Sequence, residues 1–371
     1  MNPQRLFDLF FELVRIESPS RHEAAMAARC ADELRDLGFE VRFDESAAQT
    51  GSDTGNLIAR LPGTAAGSVV LSAHLDTVRP CAGIEPVVED GVVRSAGDTI
   101  LSADDKAGVA AILEGVRAVV ESGTPRPEIV VLLTTCEELH LLGSGALAAG
   151  ELPQGAPCYV FDADGAPGTV IVGAPCHWNL EARFAGKAAH AGVAPETGVS
   201  AIAMAAAAVA AMPLGRIDEA TTANIGMIQG GRETNVVPES CELAGECRSL
   251  YDERAEAQKA AMTAALEDAA ARFGGSVEVA WTKSYGAVLY DEDDELVQAI
   301  SRAARAAGLE PRLHRSGGGA DANVLASRGV RAVTLGIGMA AFHSPDEHIK
   351  VADLEGAARL AEALILEEAE G

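Results

Sequence analysis

The stretch Val130-Val131-Leu132-Leu133-Thr134-Thr135-Cys136-Glu137-Glu138 decides the fold class. Its run of apolar and β-branched residues, bounded by Pro127 and Gly143, reads as a fully buried strand. The run ends in two adjacent carboxylates. In open parallel sheets, ligands and chemistry collect beyond the carboxyl ends of the strands, which is where an acidic pair would be used. Alone, the pair reads slightly better as a solvated loop after a strand. The balance shifts because other strand-like runs along the chain also end in His, Asp or Glu.

Before the central run, residues 68–73 form a second buried strand, followed at once by His74-Leu75-Asp76-Thr77. Asp104-Asp105-Lys106-Ala107-Gly108 then opens a helix to about Val120, with the acidic pair in its first turn, where the helix dipole favours it. After the central run, residues 158–161 are another short apolar stretch, closed by Asp162-Ala163-Asp164-Gly165. Nearer the N-terminus, residues 3–16 and 21–37 read as amphipathic helices separated by Ser18-Pro19-Ser20, and 39–43 and 56–61 as short strands.

From about residue 177 the rhythm becomes strand (179–186), helix (198–212), strand (221–230), strand (241–250), helix (252–273), strand (276–285). This β-α-β-β-α-β order is the ferredoxin-like arrangement. The first pattern then returns with a helix at 294–307, the glycine-rich Ser316–Asp321, a helix at 321–327, a strand at 331–337, a loop carrying His343 and a closing helix at 353–369. The expected fold is α/β. A discontinuous domain, 1–176 and 286–371, holds a mixed, mostly parallel sheet between helices, and an inserted α+β domain covers 177–285.

A length of 371 residues makes two domains the prior, and 48% apolar residues suit a globular enzyme. A net charge of −26 argues against nucleic acid or an anionic membrane surface as partner. The first twenty residues make a poor secretion signal, since Asp8, Glu12, Arg15 and Glu17 interrupt the apolar positions. No apolar run approaches the ~20 residues of a membrane span. Seven scattered cysteines without a Cys-x-x-Cys pair point to a reduced, cytoplasmic protein.

Collected together, the polar residues at the ends of these elements are His74, Asp76, Asp104, Glu137, Glu138, Asp162 and His343. Singly, each has a bland reading: a strand-end histidine, an N-cap, a turn aspartate, a loop histidine. Jointly, two imidazoles and three carboxylates are what two divalent ions need if one carboxylate bridges them. With His74, Asp104, Glu138, Asp162 and His343 as ligands, three negative charges and one hydroxide balance two zinc ions. Oxygen and imidazole donors suit zinc, with cobalt or manganese as substitutes. Asp76, two residues beyond His74 in an extended segment, is placed to accept the second ring N–H. Glu137 is left to address a metal-activated water as general base.

These residues resemble a known family. Ala73-His74-Leu75-Asp76-Thr77-Val78, Ala103-Asp104-Asp105-Lys106-Ala107-Gly108, Glu137-Glu138 with Gly143-Ser144, Asp162 and His343 are similar, in order, to the motifs of the co-catalytic dizinc metallopeptidases. That family includes peptidase T, glutamate carboxypeptidase, acetylornithine deacetylase, succinyl-diaminopimelate desuccinylase and aminoacylase. Ala-Asp-Asp-Lys-Ala-Gly together with Gly186-Lys187-Ala188-Ala189-His190-Ala191-Gly192 looks most like the peptidase T-like branch.

The resemblance implies that Asp104 bridges two zinc ions, with His74 and Asp162 on one and Glu138 and His343 on the other. It implies Glu137 as base and Asp76 as partner of His74. It implies a homodimer through the inserted lid domain, in which His190 reaches the partner's site and polarises the scissile carbonyl. Asn235, Arg248, Gly318 and Asp321 resemble substrate-holding positions. The implied activity is hydrolysis of short peptides, most like a tripeptide aminopeptidase. A carboxypeptidase or N-acyl amino acid deacylase keeps the chemistry and changes the substrate. A catalytically idle binding protein is the reading from another class, but no expected ligand or base is missing. One departure stands out: relatives usually carry glycine two residues after the acidic pair, where this chain has His140.

Overall fold

The computed structural model describes residues 1–370, which divide into two compact units. The first comprises Met1–Gly173, Tyr290–Ser316 and the chain from Ala320 onward; the second comprises Ala174–Leu289 with Gly317–Gly319.

In the first unit, the central sheet runs in the order Glu40–Phe43, Leu57–Leu61, Glu128–Thr134, Ser68–His74, Pro157–Ala163, Arg331–Gly336, Thr169–Ala174. The four middle strands are mutually parallel, and antiparallel neighbours flank them on both sides. The uniformly apolar composition of the middle strands follows from their position, since both faces are covered. Val69, Leu71, Val131, Leu133, Tyr159 and Phe161 face the helices Pro3–Arg15, Ala103–Ser122 and Val351–Glu370. Val70, Val130, Leu132, Cys158 and Val160 face the opposite way, with Ala322 and Leu325 of helix Asp321–Ser327. Because the four strands are parallel, His74, Thr134, Ala163 and Gly336 end at one edge of the sheet.

The sequence reading passed over Thr169–Ala174 and a small sheet ordered Met339–Ala340, His348–Lys350, Val92–Ser95, Pro86–Glu89. This small sheet anchors both ends of the loop that bears His343. The expectation for the acidic pair needs correction. Asp104 (φ −79°, ψ 103°) and Asp105 (φ −119°, ψ 27°) lie at the start of helix Ala103–Ser122 with non-helical backbone, so they do not form its first regular turn.

The second unit is an antiparallel sheet ordered Gly215–Arg216, Thr221–Gly230, Ser240–Ser249, Cys176–Ala185, Ser276–Tyr285. Its four long strands follow the ferredoxin-like spatial order. Helices Ala201–Ala211 and Asp252–Phe273 cover one face through Met204, Ala205, Ala208, Met262 and Leu266. Thr221–Gly230 is an outer strand, paired on its far side only at Ala223 and Thr222.

Candidate metal centre

Beyond the carboxyl edge of the first unit's sheet, five of the expected residues converge. His74 closes its strand and is 1% exposed. Its Nε2 lies 3.0 Å from Asp104 Oδ1 and 3.6 Å from Asp162 Oδ1. His343 Nε2 lies 3.1 Å from Asp104 Oδ2 and 2.9 Å from Glu138 Oε1. The two oxygens of Asp104 therefore face different histidines, each accompanied by one further carboxylate. His74, Asp104 and Glu138 present one ligand atom each within a 4.8 Å span, and so do His74, Asp105 and Asp162.

Electrostatics supports a cation at this place. Burial alone would lower the proton affinity of His74, but its contacts with Asp104, Asp162 and Asp76 hold it well above the usual histidine range. Hydrogen bonds to Asp104 and Glu138 push His343 up to about 10. Burial disfavours the Asp104 carboxylate, yet its bonds to His343 and His74 outweigh that and hold it below its usual range. Burial raises Asp162 to about 7, and it raises Glu138 against the pull of His343. The donor set, two imidazole nitrogens and three carboxylates, fits borderline divalent ions.

Asp76 departs from its expected bonding. The Nδ1 of His74 lies 2.9 Å from the Asp76 main-chain carbonyl but 3.5 Å from its carboxylate Oδ1. Either way Nδ1 faces Asp76, which leaves Nε2 turned toward the carboxylates. The buried carboxylate of Asp76 instead accepts the N–H of Glu137 at 2.9 Å, the N–H of Glu138 at 3.3 Å and the hydroxyl of Ser20 at 2.6 Å. It shapes the turn that carries the acidic pair. Asp105, adjacent to Asp104, is buried and accepts the main-chain N–H of His74 at 3.1 Å.

Glu137, beside Glu138 on the same turn, has its carboxyl proton affinity raised well above the ordinary range, by burial first and then by the charge on Asp162. The turn around it is held in left-handed backbone at Cys136 (φ 52°), His140 (φ 65°) and Leu141 (φ 61°). The glycine usual at position 140 therefore has a structural reason: a φ of this sign suits glycine and strains a residue bearing a Cβ. His140 accepts that strain with its side chain exposed. Gly143 and Gly108 are required by close approach. A Cβ at Gly143 would stand 2.1 Å from the carbonyl oxygen of Thr135, and one at Gly108 would stand 2.2 Å from that of Phe161.

Asp321, expected on the substrate side, is 1% exposed. Its carboxylate accepts the hydroxyls of Thr134 and Ser144, each at 2.5 Å. That places it beneath the site, joining the end of the central strand to helix Leu142–Ala146, with no surface open to a substrate. The remaining expected residues, His190, Asn235, Arg248 and Gly318, belong to the second unit. His190 is exposed and its Nδ1 accepts the N–H of Gly192 at 3.1 Å. Asn235 is exposed, with its carbonyl accepting the N–H of Ala191. Arg248 is engaged by Glu246 of its own strand through Nε at 3.2 Å and Nη2 at 3.0 Å, and the same carboxylate meets His177 Nε2 at 2.8 Å.

Sequence reasoning missed two buried carboxylates that bind main-chain N–H groups of the segments carrying the site. Glu23 accepts the N–H groups of Cys136 at 3.0 Å and Arg21 at 2.9 Å, and the Ser52 hydroxyl. Glu347 accepts three N–H groups from residues 101, 102 and 104. The Ser20-x-x-Glu23 spacing before a helix hints at a cap, but beyond Arg21 its partners, Ser52 and Cys136, are remote. No local signal marks Glu347.

With this geometry established, similarity to known proteins is informative. Residues 70–367 match the model of peptidase family M20/M25/M40. The uncharacterized protein YqjE of Bacillus subtilis is 41% identical over 370 residues, covering 100% of both chains. Among solved structures, the aminopeptidase PepT of Bacillus cereus is 42% identical with a TM-score of 0.93. A tripeptidase of Staphylococcus aureus is 35% identical with a TM-score of 0.95, and each of these two structures is covered over 100% of both chains. No helix among the described residues is long and apolar enough to cross a membrane. A convergent histidine–carboxylate cluster at the carboxyl edge of a mostly parallel sheet, in a chain matched over most of its length, makes this protein a member of peptidase family M20/M25/M40 and a metal-dependent peptidase.

Proposed function

We propose that the chain is an aminopeptidase for short peptides, tripeptides foremost, that uses two zinc ions. The observation that carries the metal reading is the Asp104 carboxylate, whose two oxygens each face a different histidine. His74 and Asp162 would hold one ion, His343 and Glu138 the other, and Asp104 would serve both. When bound, the ions supply Lewis acidity toward the scissile carbonyl and lower the pKa of water to about 7.

The residues of the chain do the rest. Glu137 accepts the proton of the attacking water and returns it to the departing amine, so that no net proton is left on the protein. Asp76 keeps Glu137 in place by accepting the N–H groups of residues 137 and 138. In this reading His190 polarises the scissile carbonyl in a partner's site, and Asn235 and Gly318 hold the peptide backbone.

The choice of aminopeptidase rests on likeness to the Bacillus cereus and Staphylococcus aureus enzymes and is supported by the state of Arg248. A carboxypeptidase or deacylase would use this guanidinium as the anchor for a free carboxylate, but here its fork already holds Glu246. An anionic substrate would have to displace that pair. The test is a matched panel given to the zinc-loaded enzyme: a free-amino tripeptide, its N-acetylated form, its C-terminal amide and an N-acetyl amino acid. Cleavage of the free-amino peptide and its amide, with rejection of both acetylated compounds, is the expected outcome. Tolerance of the acetyl group with a need for the free carboxylate would reverse the assignment.

A homodimer through the second unit belongs to the same proposal. The outer strand Thr221–Gly230 exposes Met227 (67%) and Ile228 (56%), and a groove between it and Ala206, Val209 and Ala210 offers apolar surface. Edge strands of this kind are ready to pair with another chain. The double substitution Met227→Asp, Ile228→Asp is expected to yield monomers by analytical ultracentrifugation that keep their zinc and lose turnover, because His190 acts in trans. Full turnover by a verified monomer would remove His190 from the mechanism. Seven buried free cysteines support a reducing, cytoplasmic location.

A further inference from the structure

Two segments of the candidate metal centre are distant in sequence and approach from different parts of the first unit. One is the start of helix Ala103–Ser122, carrying Asp104; the other is the loop carrying His343. Beyond the contact between those side chains, Glu347 joins them. It lies four residues after His343, on a turn closed by its own N–H to the Ser344 carbonyl at 3.0 Å, and is 1% exposed. Its Oε2 accepts the N–H groups of Leu101 and Ser102, each at 2.8 Å, and its Oε1 accepts that of Asp104 at 2.9 Å.

The site that receives this carboxylate is built of converging main-chain donors. Ser102 lies in left-handed backbone (φ 61°, ψ 31°), so neighbouring N–H groups converge in a concave nest. The nest immediately precedes the regular turns of helix Ala103–Ser122, which begin only after the non-helical Asp104 and Asp105. A carboxylate from the His343 loop fills it. Asp104 is consequently held by its main chain, and its own side chain is free to face His74 and His343.

We propose that Glu347 is a positioning residue that assembles the metal centre, fixing the bridging Asp104 relative to His343. The inference rests on the metal reading given above and adds a residue that would touch neither metal nor substrate. A neutral isostere exposes the role. Glutamine at 347 has one oxygen and one NH2 group. Whichever way it turns, the NH2 faces a main-chain donor and at least one N–H loses its acceptor.

The test is zinc binding by the chelator-treated, full-length chain, measured by competition against a chromophoric chelator. Glu347→Gln is expected to weaken at least one zinc equivalent by tenfold or more, in the range seen when groups supporting metal ligands are altered, with the far-UV circular dichroism unchanged. Glu347→Asp, which keeps the charge but has a shorter reach, is expected to fall between wild type and Glu347→Gln. The control is Asp346→Asn, an exposed neighbour on the same turn, expected to bind as wild type. A lower Tm with unaltered zinc affinity in Glu347→Gln would mean that the residue only supports the fold, and would overturn the proposal. If Glu347→Gln does not fold, Glu347→Asp decides: affinity below wild type supports the proposal and equal affinity overturns it. Zinc uptake by the wild-type chain separates this from the underlying reading, because a wild-type chain that binds no zinc would overturn the metal centre itself.

Discussion

Glu137→Gln is expected to lower kcat by about 10²- to 10⁴-fold while leaving metal content unchanged, the scale associated with losing a positioned general base. At about 1.4 kcal/mol per factor of ten, that is roughly 3–5 kcal/mol of transition-state stabilisation. The substitution is nearly isosteric, and the main-chain N–H of residue 137 would still reach Asp76, so the turn keeps its shape. What disappears is the ability to take a proton from water and return it to the leaving amine. The ligands His74, Asp104, Glu138, Asp162 and His343 are untouched, so metal analysis of the purified variant is expected to match wild type. KM is expected to change much less than kcat, because binding of the peptide does not require the base. Steady-state kinetics with a free-amino tripeptide, alongside metal analysis, checks both. Wild-type turnover with full metal content would remove Glu137 from the role of base.

Asp104→Asn is expected to abolish activity for a different reason, by dismantling the metal centre. Asp104 is the one residue whose carboxylate addresses both histidines, at 3.0 Å and 3.1 Å. An amide keeps a single oxygen and aims an NH2 donor at whichever imidazole the other atom faced. One negative charge also leaves a set of three carboxylates that must balance two divalent ions. Uptake is therefore expected to fall from two equivalents to at most one after dialysis against zinc, with turnover below detection. The buried Glu347 carboxylate still binds the main-chain N–H of residue 104, so the start of the helix is expected to stay in place and circular dichroism to be unchanged. Two firmly held equivalents in Asp104→Asn would exclude Asp104 as the bridge. The pair of variants separates the two functions: one keeps the metals and loses the proton transfer, the other loses the metals.

Much of this protein is legible in its sequence, for a physical reason. A strand covered on both faces has to be apolar at every position, so Val130–Leu133 announces its burial through composition alone. The parallel arrangement brings strand ends to one edge, so His74, the Glu137–Glu138 pair and Asp162 draw attention because each ends or follows such a strand. The β-α-β-β-α-β rhythm from residue 177 is likewise a local periodicity, and the second unit displays it.

What only the tertiary structure decides is where each carboxylate sends its hydrogen bonds. Asp76 reads from its spacing as a partner for the His74 ring, yet its carboxylate spends most of its bonding capacity on N–H groups 61 and 62 residues away. Glu23 meets Cys136 across 113 residues, and Glu347 meets Asp104 across 243. Asp321 looks like part of a glycine-rich substrate loop, but the fold buries it against two hydroxyls far along the chain. Hydrophobic burial leaves a periodic trace because every residue on a covered face must comply. A hydrogen bond between distant segments leaves none, because one carboxylate and one N–H meet only after the sheet has brought their loops together.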